Sequence, residues 1–369
     1  MIIETKEVIF ITVLSVHKEY KNIDAAKFIC SILVVAIHTL KVESIGSKYY
    51  FFAMFISSVA VPFFYACSGF FFFKNLEFDK DLKIKKSRQN INQLIKYERK
   101  TIILYSVWSC IFFIEKILNA LTEGKQALID FVKSVPSSIF INGMEVHLWY
   151  VICLIYALPI LYFLCRHISV KYMFIITFFL YTVCQAAEGY SWIESDLTRF
   201  MTEASSIMQY GFSVFSRAIP FLSIGMLWSI KKYRINKYFC MLLTIILFLF
   251  QFAEKSILYC YFDSDPGARY FISLYLTVFF LMGTILKFED DSNENRSKIM
   301  LYLRKISSLV YFVHPLVIIF IGRVVATFFA GALFIGRFSY FAAVSWLSVM
   351  IAFAIICMSE KIKILKYLM

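Results

Sequence analysis

About ten uninterrupted apolar stretches, near residues 24–42, 51–73, 101–120, 147–166, 170–187, 211–230, 236–253, 270–287, 307–329 and 338–358, divide this chain, and each approaches the roughly 20 residues a helix needs to cross a bilayer. Inside hydrocarbon a backbone must satisfy its own polar groups, which leaves helices or a closed barrel. Barrel strands alternate apolar and polar residues, whereas these runs are continuously apolar. The expected fold is therefore all-α: a polytopic membrane protein with about ten transmembrane helices. Composition agrees, since 60% of residues are hydrophobic, 41 are Phe and only 17% are charged. No single soluble core hides that much apolar surface.

A net charge of +13 would point to nucleic acid in a soluble chain. Here the basic residues cluster in the short segments between spans, and no nucleic-acid partner is expected. Counting them on alternate sides puts Lys6, Lys18, Lys21, the run from Lys74 to Lys100, Arg166 and Lys171, the groups at 231–237 and 287–305, and Lys361, Lys363 and Lys366 together on one side. The positive-inside rule makes that side cytoplasmic and places both termini there. The N-terminal apolar run "VIFITVLSV" is only nine residues, follows Glu4 and Glu7 and lacks a small-residue cleavage site, so residues 1–22 are a poor secretory signal and fit an interfacial segment ahead of the first span. The stretch 74–100 is a basic cytoplasmic loop, expected as an amphipathic surface helix. It serves either as a topology anchor on anionic lipid or to attract an anionic cosubstrate. The whole of 1–369 reads as one membrane domain. Nine cysteines without a CxxC pair behave as small apolar residues. Neither they nor the acidic "DSD" at 263–265 indicates a metal, and no resident cofactor is expected.

The first span holds the sharpest chemical signal. Lys27 and His38 are eleven residues apart, which brings them to within about 20° of one direction on a helix and separates them by roughly 16 Å along it. Asp24 and Ser31 fall on the same face. Such a polar stripe must face the bundle interior or a wet cavity. Because it runs from one leaflet toward the other, it suits two substrates approaching from opposite sides. The competing structural account is a snorkelling Lys27 and a His38 bonded to a neighbouring helix.

Three further positions carry the same ambiguity. His147 stands at the outer edge of the fourth span beside Trp149 and Tyr150, where an interfacial aromatic belt explains it on its own. Arg217 lies two turns into the sixth span, and an intramembrane arginine is a functional candidate by default. His314 lies two turns into the ninth span from the inner side, ahead of helix-bending Pro315.

The order of "IDAAKFICSILVVAIH", "FFYACSGFFFFK", "HLWYVICLIYALP", "SRAIPFLSIGM" and "ISSLVYFVHP" resembles the membrane acyltransferase family 3, whose members include O-acetyltransferases of surface polysaccharides. The likeness covers nearly the whole chain. The family's Arg-x10-His signature falls on Lys27 and His38, with lysine in place of arginine. Its SGF-type turn matches Ser68, Gly69 and Phe70, its HLWF-type segment matches His147 to Tyr150, and its late YxxH matches Tyr311 and His314. The resemblance implies an acyltransferase of the cell membrane that moves an acyl group, acetyl by family frequency, from cytoplasmic acyl-CoA to a hydroxyl of a cell-surface or lipid-linked glycan. In that scheme His38 is the catalytic base or acyl relay, Lys27 and His314 bind the donor, and Arg217 and His147 bind the acceptor or the oxyanion. A polytopic transporter or flippase for a glycan is the alternative, although twelve Gly and six Pro offer few of the broken helices transporters use.

Overall fold

The computed structural model describes residues 20–230, 235–262, 264–289, 298–328 and 335–369. Most of the N-terminal interfacial segment expected over 1–22, part of the basic segments 231–237 and 287–305, and Asp263 of the acidic triplet lie outside the described residues. Apart from an isolated bridge between Phe78 and Ile84, the described regular structure is helical, in the order α1 Lys21–Thr39, α2 Val42–Ile45, α3 Ser47–Ser57, α4 Ala60–Phe73, α5 Arg88–Glu123, α6 Lys125–Ser137 and α7 Trp149–Leu164. The second half comprises α8 Val170–Cys184, α9 Asp196–Met208, α10 Ile219–Ser229, α11 Lys237–Tyr261, α12 Ile272–Lys287, α13 Lys298–Phe328 and α14 Phe338–Ser359.

Every expected span finds a helix, with revised edges. Among the described residues eight helical segments are long and apolar enough to cross a membrane. The helices Asp196–Phe212 and Val214–Ser229 meet at 79°, a broken span or a re-entrant loop, and make a ninth crossing when counted as one span. The place of the expected span 270–287 is held by α12, an apolar helix of 16 residues. The basic segment 74–100 divides in two. Residues 74–87 form a loop, held by the side chain of buried Asn90, which donates to the carbonyls of Glu77 (3.0 Å) and Lys85 (2.9 Å). The remainder is the start of the 36-residue α5. Ser87 caps that helix by accepting from the Asn90 amide, so a polar N-cap and not the loss of hydropathy fixes where it begins.

Packing centres on α1. It lies against α13, α4 and α14, while α10 packs on α4 and α8, and α11 on α12. The α4–α10 contact is close enough to need glycine: a Cβ on Gly225 would stand 1.8 Å from the Ala66 carbonyl oxygen and 2.5 Å from the Phe70 nitrogen. Near one end of the α1–α13 contact, Arg304 grips the carboxylate of Asp24, with Nε at 3.1 and 3.0 Å from its two oxygens and a second nitrogen at 2.8 Å. Asp24 is 2% exposed, a burial a carboxylate accepts only when paired and hydrogen-bonded. This pair fixes the register of α1 on α13, and with it the relation of the first polar stripe to His314.

Candidate active site

Two cavities meet inside the helical bundle, and Tyr150 and Tyr311 line both. The first, of about 210 Å³, contains His38, His147, Arg217 and Arg269. The second, of about 330 Å³, contains Lys27, Ser68, Tyr97 and Lys100. The stripe read from the sequence therefore does run between compartments, with Lys27 in one and His38 in the other.

The wall between them is hydrogen-bonded. Tyr150 Oη and Ser68 Oγ are 3.2 Å apart, Tyr65 donates to the Tyr150 carbonyl at 3.1 Å, and the Tyr311 hydroxyl donates to the His147 carbonyl. The rings of Tyr150 and Tyr311 lie 5.6 Å apart. Ser68 and Tyr311 belong to quoted motifs, and the structure gives them a concrete place.

On the histidine side three imidazoles converge. His38 and His314 have ring centroids 5.3 Å apart, and His147 and His314 are 5.4 Å apart. His147 is presented by a short turn, Val146–Leu148, just before α7. The preceding Gly143 has φ +88, and a Cβ there would stand 2.8 Å from both the Glu145 oxygen and the Trp149 nitrogen, so glycine makes that turn possible. His314 Nδ1 lies 3.1 Å from the Val310 carbonyl. Its Nε2 and both ring nitrogens of His147 are buried with no hydrogen-bond partner. Buried polar atoms are normally bonded, so three buried nitrogens without partners single this cluster out, and of the two residues His147 lines the cavity.

His314, expected on the donor side, packs against His38 and His147 and does not line the lysine cavity.

Arg217 sits on a π-helical turn, Val214–Ala218, ahead of α10; such turns recur at functional sites. It pairs with Glu188 at 2.8 Å, donates to Ser213 at 2.8 Å, and holds its guanidinium 4.0 Å from the Tyr270 ring centroid. On the lysine side, Lys27 makes no ion pair or hydrogen bond among the described residues. A half-buried ammonium without a protein partner is costly, and it stands ready for an anion. The cavity adjoins an open groove of about 520 Å³ that shares Lys100 and Leu104 and adds Lys96, Arg99 and Lys366. Arg269, Lys100 and the Tyr150–Tyr311 wall were not singled out as site residues from sequence.

An all-helical membrane bundle with paired cavities, a histidine cluster on one side and lysines on the other, is what an enzyme needs to bring two substrates to one wall. The family model of the acyltransferase domain matches residues 20–357, and the chain belongs to that family. Its long apolar helices make it a multi-pass membrane protein. Two curated relatives are similar over shorter stretches. An amino-acid racemase of Enterococcus faecalis is 27% identical over 175 residues, covering 47% of this chain and 22% of the relative. A serine/alanine racemase of Enterococcus gallinarum is 30% identical over 173 residues, 47% of this chain and 23% of the relative. The chain thus spans less than a quarter of the length of either. No solved structure matches this chain.

Proposed function

We propose that the protein is an O-acyltransferase of the cell membrane, taking an acyl group, acetyl in the first instance, from acyl-CoA and delivering it to a hydroxyl of a cell-surface or lipid-linked glycan. The observation that carries this reading is the shared Tyr150–Tyr311 wall, with Lys27, which has no ion pair or hydrogen bond among the described residues, and a basic groove on one side and His38 and His147 on the other. With both termini cytoplasmic, the lysine cavity faces the cytoplasmic acyl-CoA. Coenzyme A is polyanionic, and lysines suit its phosphates as point charges.

In the reaction, the acceptor hydroxyl gives its proton to His38 as its oxygen attacks the thioester carbonyl. The C–O ester bond forms, the C–S bond breaks, and the CoA thiolate leaves and takes up the proton from His38. His147 and Arg217 stabilise the tetrahedral oxyanion or hold the acceptor, and His314 supports the His38 ring from the side.

The test uses the purified protein in lipid nanodiscs with labelled acetyl-CoA and a surface-glycan extract, following free CoA and label on glycan. His38→Ala is expected to lower transfer by about 100-fold or more, while remaining monodisperse because alanine removes a polar ring from the bundle. Normal transfer by that variant removes His38 from the chemistry, and a wild-type protein that releases no CoA defeats the reading as a whole.

A further inference from the structure

Two arginines line the histidine cavity, and their surroundings differ. The charge of Arg217 is answered within the protein, by Glu188 and by the face of Tyr270. Arg269 has no such answer: among the described residues it makes no ion pair, side-chain hydrogen bond or ring contact. Asp265, in the same loop, accepts from the Gly267 amide at 2.8 Å, and among the described residues neither it nor Glu43 makes an ion pair with Arg269. Arg269 is nevertheless half-buried, in a cavity shared with His38 and His147.

The loop that carries it is built to stay in place. Lys255 of α11 is completely buried, and its ammonium donates to the carbonyls of Pro266 at 3.0 Å and Ala268 at 2.9 Å while lying 4.5 Å from the Phe51 ring centroid. Burying an ammonium to hold two carbonyls is an expensive tether. What it fixes is the backbone immediately before Arg269. The next residue, Tyr270, lies under Arg217, so the loop is anchored on both sides of Arg269. A guanidinium fixed in this way has lost much of its conformational freedom before any ligand arrives, which strengthens each bond it then makes.

We infer that Arg269 is the anion-binding residue of the acceptor site, and that the acceptor carries a carboxylate or phosphate close to the hydroxyl that is acylated. This rests on the reading of the cavity as an O-acyltransferase site. The reaction's own oxyanion is assigned to His147 and Arg217; Arg269 lines the histidine cavity and not the lysine cavity, so its charge serves the molecule that fills the histidine cavity. A planar guanidinium matches a carboxylate or phosphate through two parallel hydrogen bonds. Two kinds of glycan supply such a group: a sugar bearing a uronic acid, and a sugar joined to lipid through phosphate.

Equilibrium binding to the full-length protein in nanodiscs, with two matched pairs of probes, tests the inference and separates these sources. Methyl glucuronide is compared with methyl glucoside, and octyl glucosyl phosphate with octyl glucoside. The wild-type protein is expected to bind the anionic member of one pair at least about tenfold more tightly than the neutral member, as one charge-assisted contact allows. The favoured pair identifies the source of the anion. Arg269→Gln should bring the anion down to the affinity of the neutral probe and leave the neutral probe unchanged, which also reports an intact cavity. Arg269→Lys should keep part of the preference, and it carries the comparison if the Gln variant does not fold. Wild-type affinity for both anions no greater than for their neutral partners, or a preference that Arg269→Gln leaves intact, overturns the inference. Release of CoA from acetyl-CoA is measured on the same preparations. Anion preference without CoA release sinks the acyltransferase reading alone, and CoA release without anion preference sinks only the role of Arg269.

Discussion

The Asp24–Arg304 pair makes an asymmetric prediction, because its two members are buried to different degrees. Asp24 has 2% of its side chain exposed and Arg304 has 42%. Removing Arg304 leaves a carboxylate sealed between α1 and α13 without its bidentate partner, a loss on the scale of about 3–5 kcal/mol for a broken buried pair. The ammonium of Lys27, one turn along α1, offsets a part of this. Removing Asp24 instead leaves a guanidinium that already reaches solvent or headgroups, so the loss is nearer that of an exposed pair, about 1 kcal/mol. Arg304→Ala should therefore destabilise by roughly 2–3 kcal/mol more than Asp24→Ala. The double variant should recover most of that difference, since alanine at both positions leaves no charge stranded. The assay is thermal unfolding in detergent, followed by a maleimide dye that reacts with Cys30, Cys67, Cys153 and Cys165 only as these buried thiols are exposed. If Asp24→Ala melts at a lower temperature than Arg304→Ala, or if the double variant is no better than Arg304→Ala, the reasoning from burial fails.

Two further outcomes follow from geometry. Gly225→Ala drives a Cβ to within 1.8 Å of the Ala66 carbonyl oxygen; backbone on both helices must part, and a loss of about 3 kcal/mol is expected, read as a lowered melting temperature and a poor monodisperse yield. An unchanged melting temperature would show that α4 and α10 are not in such close contact. Lys27→Gln, which removes a charge that has no ion pair or hydrogen bond among the described residues, should leave stability nearly intact and should chiefly increase the acyl-CoA concentration giving half-maximal rate, while Lys27→Arg keeps activity. Unaltered donor dependence in the Gln variant takes Lys27 out of the donor site.

The sequence made the spans legible because a bilayer imposes one dominant requirement, a long apolar run, and each such run became a helix. It was less informative where polar detail sets the boundary. The start of α5 depends on the Ser87 cap, and the full reach of α11 to Tyr261 depends on Gln251 and Lys255 finding buried partners, Ser58 for the first and two loop carbonyls for the second. Neither could be read as apolar periodicity. Among the site residues, Lys27, His38, His147 and Arg217 stood out because a charged or ionisable group in an apolar run is conspicuous. Arg269 did not, since it lies in a loop, "DSDPGARYF", where an arginine is unremarkable until the tether beneath it is seen. Placing His314 required knowledge of how α13 is registered on α1, which the Asp24–Arg304 pair supplies and no local pattern predicts.

Asp24, Lys27 and His38 on the polar stripe of α1 show how the cost of charge inside a membrane protein is met by different means. Asp24 is neutralised by a bidentate partner and works in the architecture, locking two helices together. Among the described residues Lys27 makes no ion pair or hydrogen bond, and it opens into a cavity lined by a second lysine and adjoining a basic groove, an arrangement that repels another cation and favours an anionic guest. His38 needs no counter-charge when neutral, and it lies beside His314 in a cavity whose other imidazole nitrogens are uncommitted. A helix whose polar face served only stability would satisfy all three groups as it satisfies Asp24. Only the first is satisfied within the fold, and the other two open on opposite sides of the Tyr150–Tyr311 wall, where a donor and an acceptor would have to meet for an acyl group to pass between them.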